Sequence, residues 1–110
     1  MPDSTIFEEA ARVLPGGTFG NVDPGVIIRE GNGSHVWDVN GKKYIDFLIG
    51  SGPMLLGHAH PAVTAAVAQQ LTRGTTFFAN NEYGVRLASA IVEAVACAEK
   101  VRYVSTGSEA

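Results

Sequence analysis

Val101-Arg102-Tyr103-Val104-Ser105-Thr106-Gly107-Ser108-Glu109-Ala110 passes from an apolar run, through small turn residues, to what reads as a helix start. Val101, Tyr103 and Val104 around Arg102 predict a short buried strand. Ser105-Thr106-Gly107-Ser108 follows at once, with a glycine free to take positive φ. Glu109 and Ala110 read as a first helical turn, with Ser108 or Thr106 as its N-cap. A strand, a small-residue turn and a helix start aim free N–H groups and the positive end of a dipole at one point. Phosphate is the usual guest of such a point. A plain strand–turn–helix joint with a polar cap is the competing reading.

The chain has 110 residues, 45% of them apolar, which is enough for the core of one ordinary domain. A net charge of −3 without a basic run argues against nucleic acid as a partner. No stretch is long and apolar enough to span a bilayer, so no membrane partner is expected. Asp3, Glu8 and Glu9 stand where a secretory signal would carry basic residues. The single cysteine, Cys97, excludes an internal disulfide and fits a reducing, cytoplasmic setting. Its Ala-rich surroundings suit a small packing residue better than a nucleophile. No internal repeat or low-complexity segment is present.

Thr5-x-x-Glu8 reads as a capping box opening a helix with Ile6, Phe7, Ala10, Ala11, Val13 and Leu14 on its apolar face. Pro15-Gly16-Gly17 ends that helix. It reads as an arm that packs on a partner or another domain. Residues 18–25 have the composition of a loop. Val26–Glu30, His35–Val39 and Lys43–Leu48 read as strands linked by Gly31-Asn32-Gly33-Ser34 and by the hairpin signal Asn40-Gly41. Short links between sequential strands imply an antiparallel meander. Trp37 and Val39 share a face, as do Ile45 and Phe47. His35 reads as structural. Asp38 and Asp46 admit two readings, a pair of acid/base carboxylates or charges that are solvated or cap a turn.

Glycines and Pro53 then bracket Met54-Leu55-Leu56, a loop apolar enough to be pressed against something. His58-x-His60 has the look of a metal pair but lacks the further ligands of a closed site. His60 before Pro61 is better explained as the lead into a helix with Pro first. That helix runs Pro61–Thr72, with Gly74 as its stop. Thr75-Thr76-Phe77-Phe78 reads as extended. Asn80-Asn81 opens the next helix, with Leu87, Ala88, Ile91, Val92 and Val95 on one face and Arg86 at the surface. These elements do not close an α/β sheet around Val101–Val104. The expectation is the front part of a longer protein, or a chain completed by a partner.

Five stretches together resemble the front of the class III aminotransferases, with the subgroup of glutamate-1-semialdehyde aminomutase the most similar. They are Leu14–Gly17, Val36–Phe47, Gly57–Val63, Arg73–Phe77 and Val101–Ala110, in the family's order and spacing. None is decisive alone; five in register are specific. The family's Ser-Gly-Thr-Glu-Ala turn, which holds the phosphate of pyridoxal 5′-phosphate, corresponds to Thr106-Gly107-Ser108-Glu109-Ala110. The resemblance thus implies a cofactor role for Thr106, Gly107 and Ser108, with Ser108 keeping the hydroxyl.

It implies further a fold of the large PLP-dependent transferase type (aspartate aminotransferase-like, fold type I) acting as a homodimer. An N-terminal arm and meander would occupy residues 1–48, and residues 49–110 would begin the cofactor domain. The reaction implied moves an amino group between an amine or amino acid and a carbonyl compound. The lysine that carries the cofactor is expected downstream, since Lys42, Lys43 and Lys100 do not match it. No catalytic residue is therefore assigned within this segment, and the 110 residues alone are expected to be inactive.

Two departures bear on substrate. Phe19-Gly20-Asn21-Val22 stands where the aminomutases carry Ser-Pro-Val-Arg, and Ser51 stands where they carry Trp. Phe19, Val22 and Ser51 are accordingly the candidate substrate-pocket residues. They set the chain apart from aminomutases and leave general aminotransfer as the first reading. The alternatives are a stand-alone α+β interaction module docking through Met54-Leu55-Leu56, an inactive aminotransferase-like remnant and, within the family, glutamate-1-semialdehyde aminomutation.

Overall fold

A computed structural model describes residues 4–20 and 22–110. Asp3 and Asn21, used in the sequence argument, lie outside the described residues. Helix α1 spans Ser4–Val13 and presents Ile6, Ala10 and Val13, followed by Leu14, to a groove shared with Phe19 and Val22. Thr5, expected as the cap, lies inside the helix, one residue in from its start. Pro15–Gly17 makes one 3₁₀ turn and ends the helix as expected, with Gly16 at φ 67° and Gly17 at φ 73°.

The meander is present. Strands β1 (Ile28–Asn32), β2 (His35–Asp38) and β3 (Lys43–Ile45) form one antiparallel sheet in chain order. Asn32 pairs with His35 and Trp37 with Lys43. β1 starts later than expected and runs on through Gly31 and Asn32, so that Gly33 and Ser34 alone make the turn, with Gly33 at φ 55°. β3 is shorter than expected. Its successor Asp46 accepts from the N–H groups of Leu48 and Ile49, and this turns the backbone out of the ladder. The Lys43 ammonium lies 5.3 Å from the Trp37 ring centroid and covers the half-buried indole.

Asp38 is the one buried residue among those described, at 5% exposure. Its Oδ1 accepts from the N–H groups of Asn40 (2.9 Å) and Lys42 (2.8 Å), and its Oδ2 accepts from the Tyr44 hydroxyl (2.9 Å). Of the two readings open for this residue, capping a turn is the one the structure shows. Burial pushes its carboxyl up. The hydrogen bonds from the Lys42 N–H, the Tyr44 hydroxyl and the Asn40 N–H, with the Lys42 charge, outweigh burial and hold it below the usual carboxylate range.

Helix α2 spans Pro61–Leu71 and α3 spans Glu82–Ala94, close to the expected limits. Asn81 caps α3 through a 2.9 Å hydrogen bond from the Gly84 N–H. Gly84, Ala88, Ile91 and Val92 form its half-buried stripe. The Tyr103 hydroxyl donates to the Gly84 carbonyl at 2.7 Å and ties the last segment to α3. Residues 101–104 pair with no strand among the described residues, so the run has no ladder to complete it. The chain divides into two compact units after Gln69. The first holds α1, the meander and most of α2; the second holds α3 and the terminal turn.

No apolar side chain is buried among the described residues. Phe19 and Phe47 are almost wholly exposed, and Leu55 and Leu56 of the Met54-Leu55-Leu56 run are largely exposed. Among the described residues, a core that supplies folding free energy in proportion to buried apolar area is therefore missing. The isolated 110 residues are expected to melt in a shallow, non-cooperative transition and to bind a hydrophobic dye. A monodisperse monomer with one sharp thermal transition would overturn this.

Asp38 sets a sign for pH dependence. A carboxyl held low in the fold stabilises it above the unfolded value of about 3.9, and that contribution is lost as pH falls through the lowered folded value. The amide proton signals of Asn40 and Lys42, followed by NMR in the protein carrying this chain, should therefore shift with a midpoint below about pH 3.9. A midpoint above it would contradict the hydrogen bonding described.

Candidate functional site

The terminal turn is built by its own polar side chains. The Thr106 hydroxyl accepts from the Glu109 N–H at 3.2 Å, which is the N-cap relation. Glu109 reaches back, its Oε2 accepting from the Thr106 hydroxyl at 2.9 Å and from the Ser105 N–H at 3.1 Å. This is a close relative of the capping box, and Thr106-x-x-Glu109 is its sequence signal. The sequence reading left the cap open between Thr106 and Ser108 and missed Glu109. One helical bond, from the Ala110 N–H to the Thr106 carbonyl at 3.3 Å, follows.

Two consequences follow for an anion. The Thr106 hydroxyl is spent on the turn itself. The N–H groups of Gly107 and Ser108 and the Ser108 hydroxyl take no partner among the described residues. Gly107 does not take the positive φ expected of it. What its missing side chain supplies is space: a Cβ built there meets nothing within 4 Å, so this face of the turn is open.

A second constellation lies in the first unit, around the glycine-rich loop. Asp46 Oδ1 accepts from the N–H groups of Leu48 (2.9 Å) and Ile49 (3.0 Å). Its Oδ2 accepts from His58 Nε2–H at 2.6 Å. The hydrogen bond from His58 leads the causes that hold the Asp46 carboxyl below its usual range. The His58 backbone exchanges two 2.9 Å hydrogen bonds with Gly33.

Glycines make that approach feasible. A Cβ on Gly31 would lie 2.6 Å from His58 Cγ, and one on Gly57 (φ 82°) would lie 2.9 Å from the Gly33 carbonyl oxygen. Between the anchors, Ile49, Gly50, Ser51 and Gly52 all have positive φ (47°, 64°, 64° and 115°). Left-handed backbone costs an L-residue about 1–2 kcal/mol, and Ile49 is β-branched besides. The sequence reading took His58 with His60 and Asp46 with Asp38. The pairing that forms crosses those groups, because the β3 exit and the loop return meet at Gly33.

Phe19 and Val22 line one apolar groove of about 600 Å³ with α1, and both are exposed at its rim. Ser51 is not among the residues lining that groove, and it stands in the left-handed turn. The structure thus brings Phe19 and Val22 together, and Thr106, Gly107 and Ser108 together. Cys97 is exposed. No helix among the described residues is long and apolar enough to cross a membrane.

Comparison with known proteins adds the following. The family model described as Aminotransferase class-III matches residues 19–110. Glutamate-1-semialdehyde 2,1-aminomutase of Chloroflexus aggregans is 44% identical over 94% of this chain and 25% of its own length. An omega-transaminase from Sphaerobacter thermophilus superposes with a TM-score of 0.85 at 32% identity, over 96% of this chain and 25% of that one. A transaminase with PLP bound gives 0.84 at 34%, over 96% and 26%. The chain spans about a quarter of the length of the curated relatives it matches.

The contact at Gly31 can be tested without reference to any likeness. Gly31→Ala forces its Cβ into the His58 ring and is expected to destabilise the protein by about 1–3 kcal/mol. In the His58→Gly background the same change should cost less, since the ring and the His58 Cβ, which the new Cβ would meet at 2.8 Å, are both gone. Denaturant midpoints of the single and double variants measure the coupling; additive effects would place the ring elsewhere.

Proposed function

This chain belongs to the class III aminotransferase family, and from that premise we propose that it forms the front of an enzyme moving an amino group between an amine or amino acid and a carbonyl compound. The observation that carries the reading is the terminal turn, where three donors on Gly107 and Ser108 have no partner among the described residues and a glycine keeps the face open. Those donors fit the phosphate of pyridoxal 5′-phosphate. When bound, that cofactor supplies an electron sink for bonds at the amine-bearing carbon. This chain's part is to hold one end of it. The N–H groups of Gly107 and Ser108 and the Ser108 hydroxyl would grip the phosphate, while Thr106 and Glu109 keep the turn in shape.

Phe19, Val22 and Ser51 are the proposed substrate-side residues. In the same reading, residues 1–48 form the arm and meander of the small domain and residues 49–110 open the cofactor domain. The enzyme would be a cytoplasmic homodimer. The exposed α1 groove and the uncovered Met54-Leu55-Leu56 run support burial against further protein. A second reading, glutamate-1-semialdehyde aminomutation, draws support from the 44% identity to an aminomutase. Assaying the purified protein on that semialdehyde beside a general amine and 2-oxo acid pair separates the two.

Ser108→Ala is expected to weaken cofactor binding by roughly 1.5–3 kcal/mol, the worth of a hydrogen bond to a charged group. That is about tenfold to a hundredfold in Kd. Gly107→Val, which puts a β-branched side chain on the open face, should lower cofactor affinity much more than thermal stability. Thr106→Ala should instead lower stability by about 1 kcal/mol, as loss of a cap does. Cofactor titration of the protein carrying this chain is the measurement. Equal affinities for wild type and Ser108→Ala, with the fold intact, would move the phosphate away from this turn.

A further inference from the structure

The left-handed turn Ile49–Gly52 has both its approaches tied to one carboxylate. Asp46 Oδ1 holds the N–H groups of Leu48 and Ile49 at the start of the loop, and Asp46 Oδ2 holds the His58 ring at its end. The His58 backbone is in turn paired to Gly33 on the β1–β2 turn, and Asp46 itself donates its N–H to the Ser34 carbonyl at 2.8 Å. Both ends of the loop are thus referred to the same sheet. Within it, the Ser51 N–H bonds the Leu48 carbonyl at 2.9 Å, and the Gly52 and Met54 N–H groups both bond the Ile49 carbonyl at 3.1 Å.

Those bonds keep the turn closed on itself, but they do not say where it stands. Ile49 and Ser51, two L-residues in the left-handed region, have a strong local preference to leave it. A turn of that kind persists where the surroundings over-determine it, and such turns gather at sites that need an exact backbone. Here the surroundings include the Asp46–His58 pair, and no apolar side chain among the described residues is buried to hold the loop in its place.

We infer that Asp46 and His58 form a clamp that fixes the position of Ser51 on the substrate side, and are therefore positioning residues for substrate rather than a metal pair or an acid/base couple. No group of three His, Cys, Asp or Glu that could hold a metal ion is present among the described residues. Asp38 and Asp46 each have both carboxylate oxygens engaged by donors. The inference rests on the reading of Ser51 given above.

The test uses the full enzyme that carries this chain. His58→Ala frees the loop's end while leaving the Asp46 caps on Leu48 and Ile49. It is expected to raise KM for the amino substrate roughly tenfold to a hundredfold, the scale on which misplacement of a positioning group acts. Cofactor affinity should stay unchanged, and the Ser51 and Gly52 amides should exchange faster with deuterium. His58→Gln, whose side-chain amide can donate to Asp46 Oδ2, should recover part of the KM. A merely structural role would lower stability and leave KM alone.

Ser51→Leu is the control for the underlying reading. If it moves KM while His58→Ala does not, the clamp is overturned and Ser51 keeps its place. If it leaves KM unchanged, the reading of Ser51 fails and the inference with it. Should His58→Ala not fold, Asp46→Asn takes its place, keeping an oxygen for Leu48 and Ile49 and removing the charge opposite His58. A smaller rise in KM is expected there; an unchanged KM overturns the proposal.

Discussion

Asp38 and Asp46 each set one carboxylate on two backbone N–H groups and one side-chain donor. For Asp38 the donors are Asn40, Lys42 and the Tyr44 hydroxyl; for Asp46 they are Leu48, Ile49 and the His58 ring. The first shapes the link between β2 and β3, and the second shapes the way out of β3. Unpaired N–H groups at a turn demand acceptors. An ionised carboxylate is the acceptor with the most lone pairs. The path of the first unit beyond its sheet depends on these two residues being charged, and both are held below the usual carboxylate range by the bonds they accept.

That dependence is sharpened by how little apolar burial the chain achieves. Its helices carry apolar stripes, yet no apolar residue among those described is buried. The stripes of α1 and α3 and the Met54-Leu55-Leu56 run are surfaces made to be covered. The curated relatives that the chain matches are about four times as long. Local polar bonds form where apolar burial does not. Hydrogen bonds between near neighbours close within a turn, whereas burial requires other elements.

In the aminotransferase reading, the two polar constellations divide the work. The terminal turn leaves three donors unused for an anion, and the Asp46–His58 pair leaves none. A turn that keeps donors free has a capacity to bind; a pair whose oxygens and ring nitrogen are matched has a capacity to hold. The same distinction separates Ser108 from Thr106, neighbours but one in sequence. One hydroxyl is unengaged, and the other both accepts from and donates to Glu109.

Much of this was legible from residue order alone. Pro15-Gly16-Gly17 stops α1 because backbone preference is local. Asn40-Gly41 joins β2 to β3, and Pro61 and Asn81 start α2 and α3, for the same reason. The order of the meander and the kinship with class III aminotransferases also follow from the sequence, the latter from five stretches in register. What the tertiary structure alone decided is partnership between residues far apart in the chain. His58 with Asp46, the room for its ring over Gly31, and the left-handed course of Ile49–Gly52 depend on the loop returning to Gly33. Pattern and propensity report on neighbours within a few residues; they carry no record of which distant N–H finds which carboxylate.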